Sequence, residues 1–144
     1  MYSYSYLLFF RAHLSSLDLA LEWVRSLLKT WQVDILIANR TELVLEEALV
    51  NIIKHANLSC SSYIQLTCEY SKDQNIVFCI KDYGDPFNPL LVLPSKEFPT
   101  TLEERQEGGI GLFLMKNFTD GLTYQRNLGA NYLYIRKRWK LSDQ

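Results

Sequence analysis

Three polar residues interrupt an apolar run at a helical interval. In ELVLEEALVNIIKHAN, residues 42–57, Glu47, Asn51 and His55 fall four residues apart and share one helix face. An Asn carbonyl oxygen is a hard ligand suited to Mg²⁺, which keeps several waters and takes its remaining oxygens from phosphates. A carboxylate one turn earlier can accept a hydrogen bond from a hydroxyl nucleophile. Taken alone, the row also fits the solvated edge of an amphipathic helix.

A second group is DYGDPFNP, residues 82–89, at the end of an expected strand. Asp, Gly, Asn and Pro all favour turns, so a plain turn is one reading. In the other, Asp82 accepts a hydrogen bond from an exocyclic amine such as that of adenine, Gly84 allows close backbone approach, and Phe87 supplies an apolar wall. A third group is EGGIGLFLM, residues 107–115, where Gly108, Gly109 and Gly111 lead into an apolar helix. Backbone N–H groups at a helix N-terminus bind phosphate, and glycines let the chain come close. The segment is no P-loop, because no Gly-Lys-Ser/Thr follows, and no parallel βαβ unit surrounds it.

The elements that must position these groups follow from hydrophobic period and turn chemistry. Residues 2–10 read as a strand, and residues 16–31 as a helix with Ser16 as N-cap. A second helix is expected from Asn39 or Thr41 to about Ala56. YIQLTCEY (63–70) and IVFCIKD (76–82) alternate as strands of a hairpin. Residues 83–108 hold all four prolines and form a long irregular segment, a length that is usually functional or disordered. GIGLFLMKNFTD reads as a helix, and LTYQR and NYLYIRKRW close the chain as a hairpin joined by NLGA. The order predicts an α+β fold, with helices on one face of a mixed, mostly antiparallel sheet.

Composition narrows the class. A chain of 144 residues with 48% hydrophobic and 22% charged residues suits one globular domain, here residues 1–144. A net charge of -1 gives no general attraction to nucleic acid or membranes. The basic run RKRWK, residues 136–140, reads as a solvated strand end or a patch for an acidic protein. Cys60, Cys68 and Cys79 lack C-x-x-C spacing, which argues against a disulfide framework or zinc ribbon and for reduced thiols in a cytoplasmic protein. No stretch approaches the roughly 18 apolar residues that span a bilayer, and no signal-peptide pattern opens the chain.

A helix suited to magnesium, an Asp-x-Gly suited to adenine and a Gly-Gly-x-Gly suited to phosphate, in that order around a long loop, describe an ATP site without a P-loop. In this the chain resembles the GHKL ATPases, whose Bergerat fold, a two-layer α/β sandwich with a long ATP lid, also serves gyrase, heat-shock chaperones, histidine kinases and MutL-type repair proteins. Within them it looks most like the stand-alone anti-sigma factor serine kinases of bacteria. EEALVNIIKHA is similar to their N box, DYGDPFNP to their first glycine box, EERQEGGIGLFLMKNFTD to their lid end and second glycine box, and GANYLYIRKR to their closing strand.

The resemblance implies roles by position. Asn51 would coordinate the Mg²⁺ that bridges the phosphates, and Glu47 would be the base orienting a substrate serine. Asp82 would hold the adenine amine with Gly84 beside it and Phe87 as a wall. Gly108, Gly109 and Gly111 would face the phosphates, Arg105 in the lid would meet the γ-phosphate, and His55 would play a supporting part. The family phosphorylates an anti-anti-sigma (STAS) protein, sequesters a sigma factor and forms homodimers, for which the apolar first strand offers an edge. A nucleotide-gated binding module without kinase activity is the alternative. The catalytic half of a histidine kinase fits less well, since the helix of residues 16–31 carries no histidine.

Overall fold

The computed structural model describes residues 3–59, 61–91 and 109–139. Strand β1 (Ser3–Arg11) is followed by a 3-10 turn (Leu14–Ser16) and helices α1 (Leu17–Thr30) and α2 (Ile35–His55). Strands β2 (Tyr63–Ser71) and β3 (Asn75–Asp82) form a hairpin, and a 3-10 turn covers Pro89–Leu91. Helix α3 (Gly109–Phe118) then leads into strands β4 (Gly121–Asn127) and β5 (Ala130–Arg138). The sheet runs β1-β2-β3-β5-β4. Every described pairing is antiparallel, where the sequence suggested a mixed sheet.

Strict alternation makes one face of this sheet the core. Ile64, Leu66 and Cys68 on β2, Ile76, Phe78 and Ile80 on β3, and Leu133 and Ile135 on β5 are buried. Against them pack Val24 and Leu28 from α1, Leu45, Leu49 and Ile52 from α2, and Met115 from α3, all in one cluster. Each such side chain contributes roughly 2 kcal/mol on leaving water. At one end of the sheet Trp31 stacks on Tyr70 with centroids 4.6 Å apart, and Tyr70 meets Trp139 at 5.3 Å. Strand β1 is an edge, as its composition suggested, and Tyr6 rests against Trp31 just past α1. The final hairpin turns through Leu128 and Gly129, with φ of 49° and 77°. Two left-handed residues in succession match the twist of the flanking strands.

Two boundaries differ from those expected. Helix α2 begins at Ile35, not near Asn39 or Thr41, because Asp34 caps it: its Oδ1 accepts from the amides of Leu36 (3.0 Å) and Ile37 (3.4 Å). Thr41 lies inside the helix, buried, with its hydroxyl donating to the Ile37 carbonyl at 2.7 Å, a bond that satisfies the side chain without ending the helix. Ser16 does precede α1, but its side chain makes no capping bond. Helix α3 stops at Phe118, two residues short of the expected end. Asp120 instead accepts from the Arg138 amide at 2.8 Å and pairs with Lys137. No helix among the described residues is long and apolar enough to cross a membrane.

The cap gives a direct check on the corrected boundary. Asp34→Ala is expected to lower unfolding free energy by about 1 kcal/mol in urea titrations. Asn39→Ala, beyond the cap, should leave stability within about 0.5 kcal/mol of the parent.

Candidate functional site

The alternation that builds the core delivers a carboxylate to its margin. On β3 the buried face passes through Ile76, Phe78 and Ile80 and ends at Asp82, which is 1% exposed. Asp82 Oδ1 accepts from the Gly84 amide and from Asn131 Nδ2, both at 2.9 Å. Burial pushes its carboxyl above the ordinary range, opposed by the bonds from Asn131 and Gly84 and by the charge of Arg126. Among the described residues, none bonds Oδ2.

The turn after Asp82 is seated on the end of α2. The Asp85 amide donates to the Ala56 carbonyl at 2.8 Å, and Asn57 Nδ2 donates to Asp85 Oδ2 at 3.2 Å. Gly84 is required here by packing, since a Cβ would stand 2.2 Å from the Ala56 carbonyl oxygen. The glycine therefore brings the turn onto the helix. Phe87, half-buried, faces His55 with ring centroids 5.5 Å apart, which gives His55 a packing role beside the expected wall.

On α2, Glu47 and Asn51 are half-buried and His55 is exposed. Burial raises the Glu47 carboxyl, Glu46 adds to the effect and Lys54 counters it. Helix α3 packs against α2 and meets it near its own C-terminal end, where Arg40 lies 4.9 Å over the Phe118 ring. Gly109 and Gly111 lie at the opposite end of α3, in its first turn. Arg105 and Gly108 fall outside the described residues. Among the described residues no group of three His, Cys, Asp or Glu side chains could hold a metal ion. A cation here would take one amide oxygen from Asn51 and the rest from phosphate and water, a donor set that fits Mg²⁺.

Three further residues join the site without having been singled out in the sequence. Asn131 is 3% exposed and also bonds the Asp85 carbonyl (2.8 Å), the Phe87 amide (3.3 Å) and the Tyr124 hydroxyl (2.5 Å). Arg126 donates to the Gly84 carbonyl at 2.8 Å. A signal for Asn131 was present: it shares the face of Leu133 and Ile135 on β5, so it is a polar group on an apolar face. It pairs directly with Asp82 in the β3–β5 register.

This geometry coincides with a family match. The sequence fits the histidine kinase-like ATPase domain over residues 10–137. The chain belongs to that family. It is similar to the serine/threonine-protein kinase BtrW of Bordetella bronchiseptica, 35% identical over 91 residues. That alignment covers 62% of this chain and 63% of BtrW, so it spans less than two-thirds of the relative. Among solved structures, the chain resembles the RsbU and RsbW domains of Rv1364c from Mycobacterium tuberculosis, with a TM-score of 0.68 and 12% identity over 94% of this chain and 32% of that one. It also resembles the SiaB–SiaC complex from Pseudomonas aeruginosa, with a TM-score of 0.60, 14% identity and coverage of 90% and 88%. At these identities the likeness is one of fold. The α+β sandwich and the GHKL kinase resemblance read from three short motifs are borne out.

A carboxyl with a folded pKa above its unfolded value loses stability as pH rises through that interval. Asp82 stands in that position, so its charge is held at a cost. Asp82→Asn keeps an acceptor for Gly84 and Asn131 without the charge. Its melting temperature at pH 7 is expected to equal or exceed that of the parent, and a drop of more than about 5 °C, on the order of 1 kcal/mol, would contradict this account.

Proposed function

We propose that the chain is an ATP-dependent protein serine/threonine kinase of a partner-switching system, with a STAS-type protein as substrate. The observation that carries the reading is Asp82, a nearly inaccessible carboxylate with one oxygen bound internally and no described partner on the other. That second oxygen would accept the adenine amine, with Gly84 alongside and Phe87 flanking the base. Gly108, Gly109 and Gly111 would present backbone N–H groups to the phosphates at the start of α3. Asn51 would hold Mg²⁺, which neutralises phosphate charge when bound. Arg105 is assigned to the γ-phosphate by its position in the lid.

Glu47 would accept the serine proton as the hydroxyl oxygen attacks the γ-phosphorus. The bond from that phosphorus to the bridging oxygen breaks, and ADP leaves with the electron pair. Positioning and charge neutralisation supply most of the rate in such transfers. Burial of Glu47 supports the assignment, because a raised carboxyl is a better proton acceptor.

BtrW is named a serine/threonine-protein kinase, and SiaB was solved in complex with SiaC, which supports a protein rather than a small-molecule acceptor. A sigma factor held in the alternative state follows from the anti-sigma resemblance. Homodimerisation is supported by the outer edge of β1, which no described strand pairs and where Leu7 and Phe9 are 51% and 57% exposed.

Radiolabelled ATP supplied with a purified STAS partner tests transfer. Glu47→Gln should bind ATP within about twofold of the parent and lose at least about 100-fold in phosphoryl transfer, the scale of general-base catalysis. Glu47 works only when ionised, so the rate should rise with pH through a midpoint above the ordinary carboxylate range, and this limb should vanish in the variant. Tight nucleotide binding with no transfer by the parent protein would instead identify a nucleotide-gated binding module.

A further inference from the structure

Every hydrogen-bonding position of the Asn131 side chain is committed to the protein. The two Nδ2 hydrogens go to Asp82 Oδ1 (2.9 Å) and the Asp85 carbonyl (2.8 Å). Oδ1 accepts from the Tyr124 hydroxyl (2.5 Å) and the Phe87 amide (3.3 Å). A side-chain amide offers two donors and two acceptor sites, so nothing is left for a ligand. Flipping the amide would set its NH₂ against the Phe87 N–H and its oxygen against two acceptors. The partners therefore fix its orientation.

This has a consequence one residue away. With Gly84 and Asn131 both on Oδ1, that oxygen of Asp82 is pinned, and Oδ2 is the one without a partner among the described residues. We infer that Asn131 is a positioning residue for base selection: it decides which Asp82 oxygen meets the purine and thereby favours a 6-amino over a 6-oxo base. The inference rests on the reading of Asp82 as the adenine carboxylate. A 6-amino group needs an acceptor in a fixed place, whereas a 6-oxo group needs a donor. If Asp82 is released, the acceptor is no longer fixed and discrimination falls. A scaffold that merely held the 82–87 turn would affect both bases equally.

Asn131→Asp, the same size and shape, separates the two roles. It puts a second carboxylate where a donor now sits 2.9 Å from Asp82 Oδ1. At pH 8 the two charges repel and displace Asp82, whereas near pH 5.5 one proton shared between them restores the link. Among the described residues, the other titratable or charged groups around the pair are Tyr124 and Arg126 from β4, Asp85 of the turn, and His55 at the end of α2. The parent protein carries the same four and serves as the reference at each pH.

MgATP and MgITP affinities are measured by calorimetry or competition, with folding checked by circular dichroism. At pH 8 Asn131→Asp is expected to bind ATP about 30-fold more weakly, the loss of a hydrogen bond to a charged group, and the ATP-over-ITP ratio should fall about tenfold. Relative to the parent, most of the ATP loss should be recovered by pH 5.5. Tyr124→Phe, which removes one anchor of Asn131, should lower the same ratio about threefold and decides the matter if Asn131→Asp does not fold. Unchanged ATP affinity at pH 8 in folded Asn131→Asp, or equal losses for both nucleotides at every pH, would overturn the inference, as would an unchanged ratio in Tyr124→Phe. Asp82→Asn run alongside distinguishes the two failures. If it binds ATP as the parent does, the adenine reading itself is wrong, whereas if it loses affinity while the other variants do not, only the role of Asn131 is.

Discussion

The site depends on one junction, the seating of the turn after β3 on the C-terminal end of α2. The Asp85 amide bonds the Ala56 carbonyl, and Gly84 lies against Ala56 with no room for a side chain. This contact joins the two layers of the sandwich where the chain leaves the sheet. It sets a carboxylate at a strand end beside the last turns of the helix that carries Asn51 and Glu47. A final helical turn commonly leaves carbonyls without partners, and here a loop from the sheet takes up one of them. The closing hairpin secures the junction from the other side, Arg126 through the Gly84 carbonyl and Asn131 through Asp82, Asp85 and Phe87. Residues separated by some 75 positions, from Ala56 to Asn131, thus hold one turn in place.

Electrostatics explains why so buried a carboxylate is tolerated. Burial disfavours the charge of Asp82, and two hydrogen bonds to one of its oxygens plus the field of Arg126 offset part of that cost. Among the described residues, nothing else relieves the remainder. A donor on a ligand bound there, as proposed, would offset it. Glu47 shows the same tension on α2, where partial burial and a neighbouring carboxylate favour its neutral form. Paired sites of this sort are where functional chemistry concentrates.

Much of this could be read from the sequence, and the reasons are physical. Strand β3 alternates throughout and β2 and β5 alternate through their central residues, because one face is core, so their period is readable. The three motifs stand out because each breaks its surroundings: polar residues on an apolar helix, an acid at the end of an apolar strand, glycines before a helix. Asp34 was harder to see, since Asn39 and Thr41 are equally good caps by type and only tertiary burial of Thr41 excludes it. Asn131 is a contact between residues far apart in the chain, and its meaning appears only once β5 is registered against β3. Gly84 was read as a place where a ligand comes close to the backbone, and the packing of its Cα against the Ala56 carbonyl is a second demand on it that only the fold reveals. The lid residue Arg105 and the glycine at 108 remain assignments by motif.

The central claim is that the later half of α2, the 82–87 turn and the start of α3 meet around one nucleotide. Amide chemical-shift mapping of the uniformly ¹⁵N-labelled protein, titrated with MgATP, tests it residue by residue. Saturable shifts should concentrate at 47–57, 82–87, 109–112 and Asn131, with the rest of β1 and α1 unmoved. An absence of shifts at millimolar nucleotide, or a saturable response confined to surfaces away from Asp82, would contradict it.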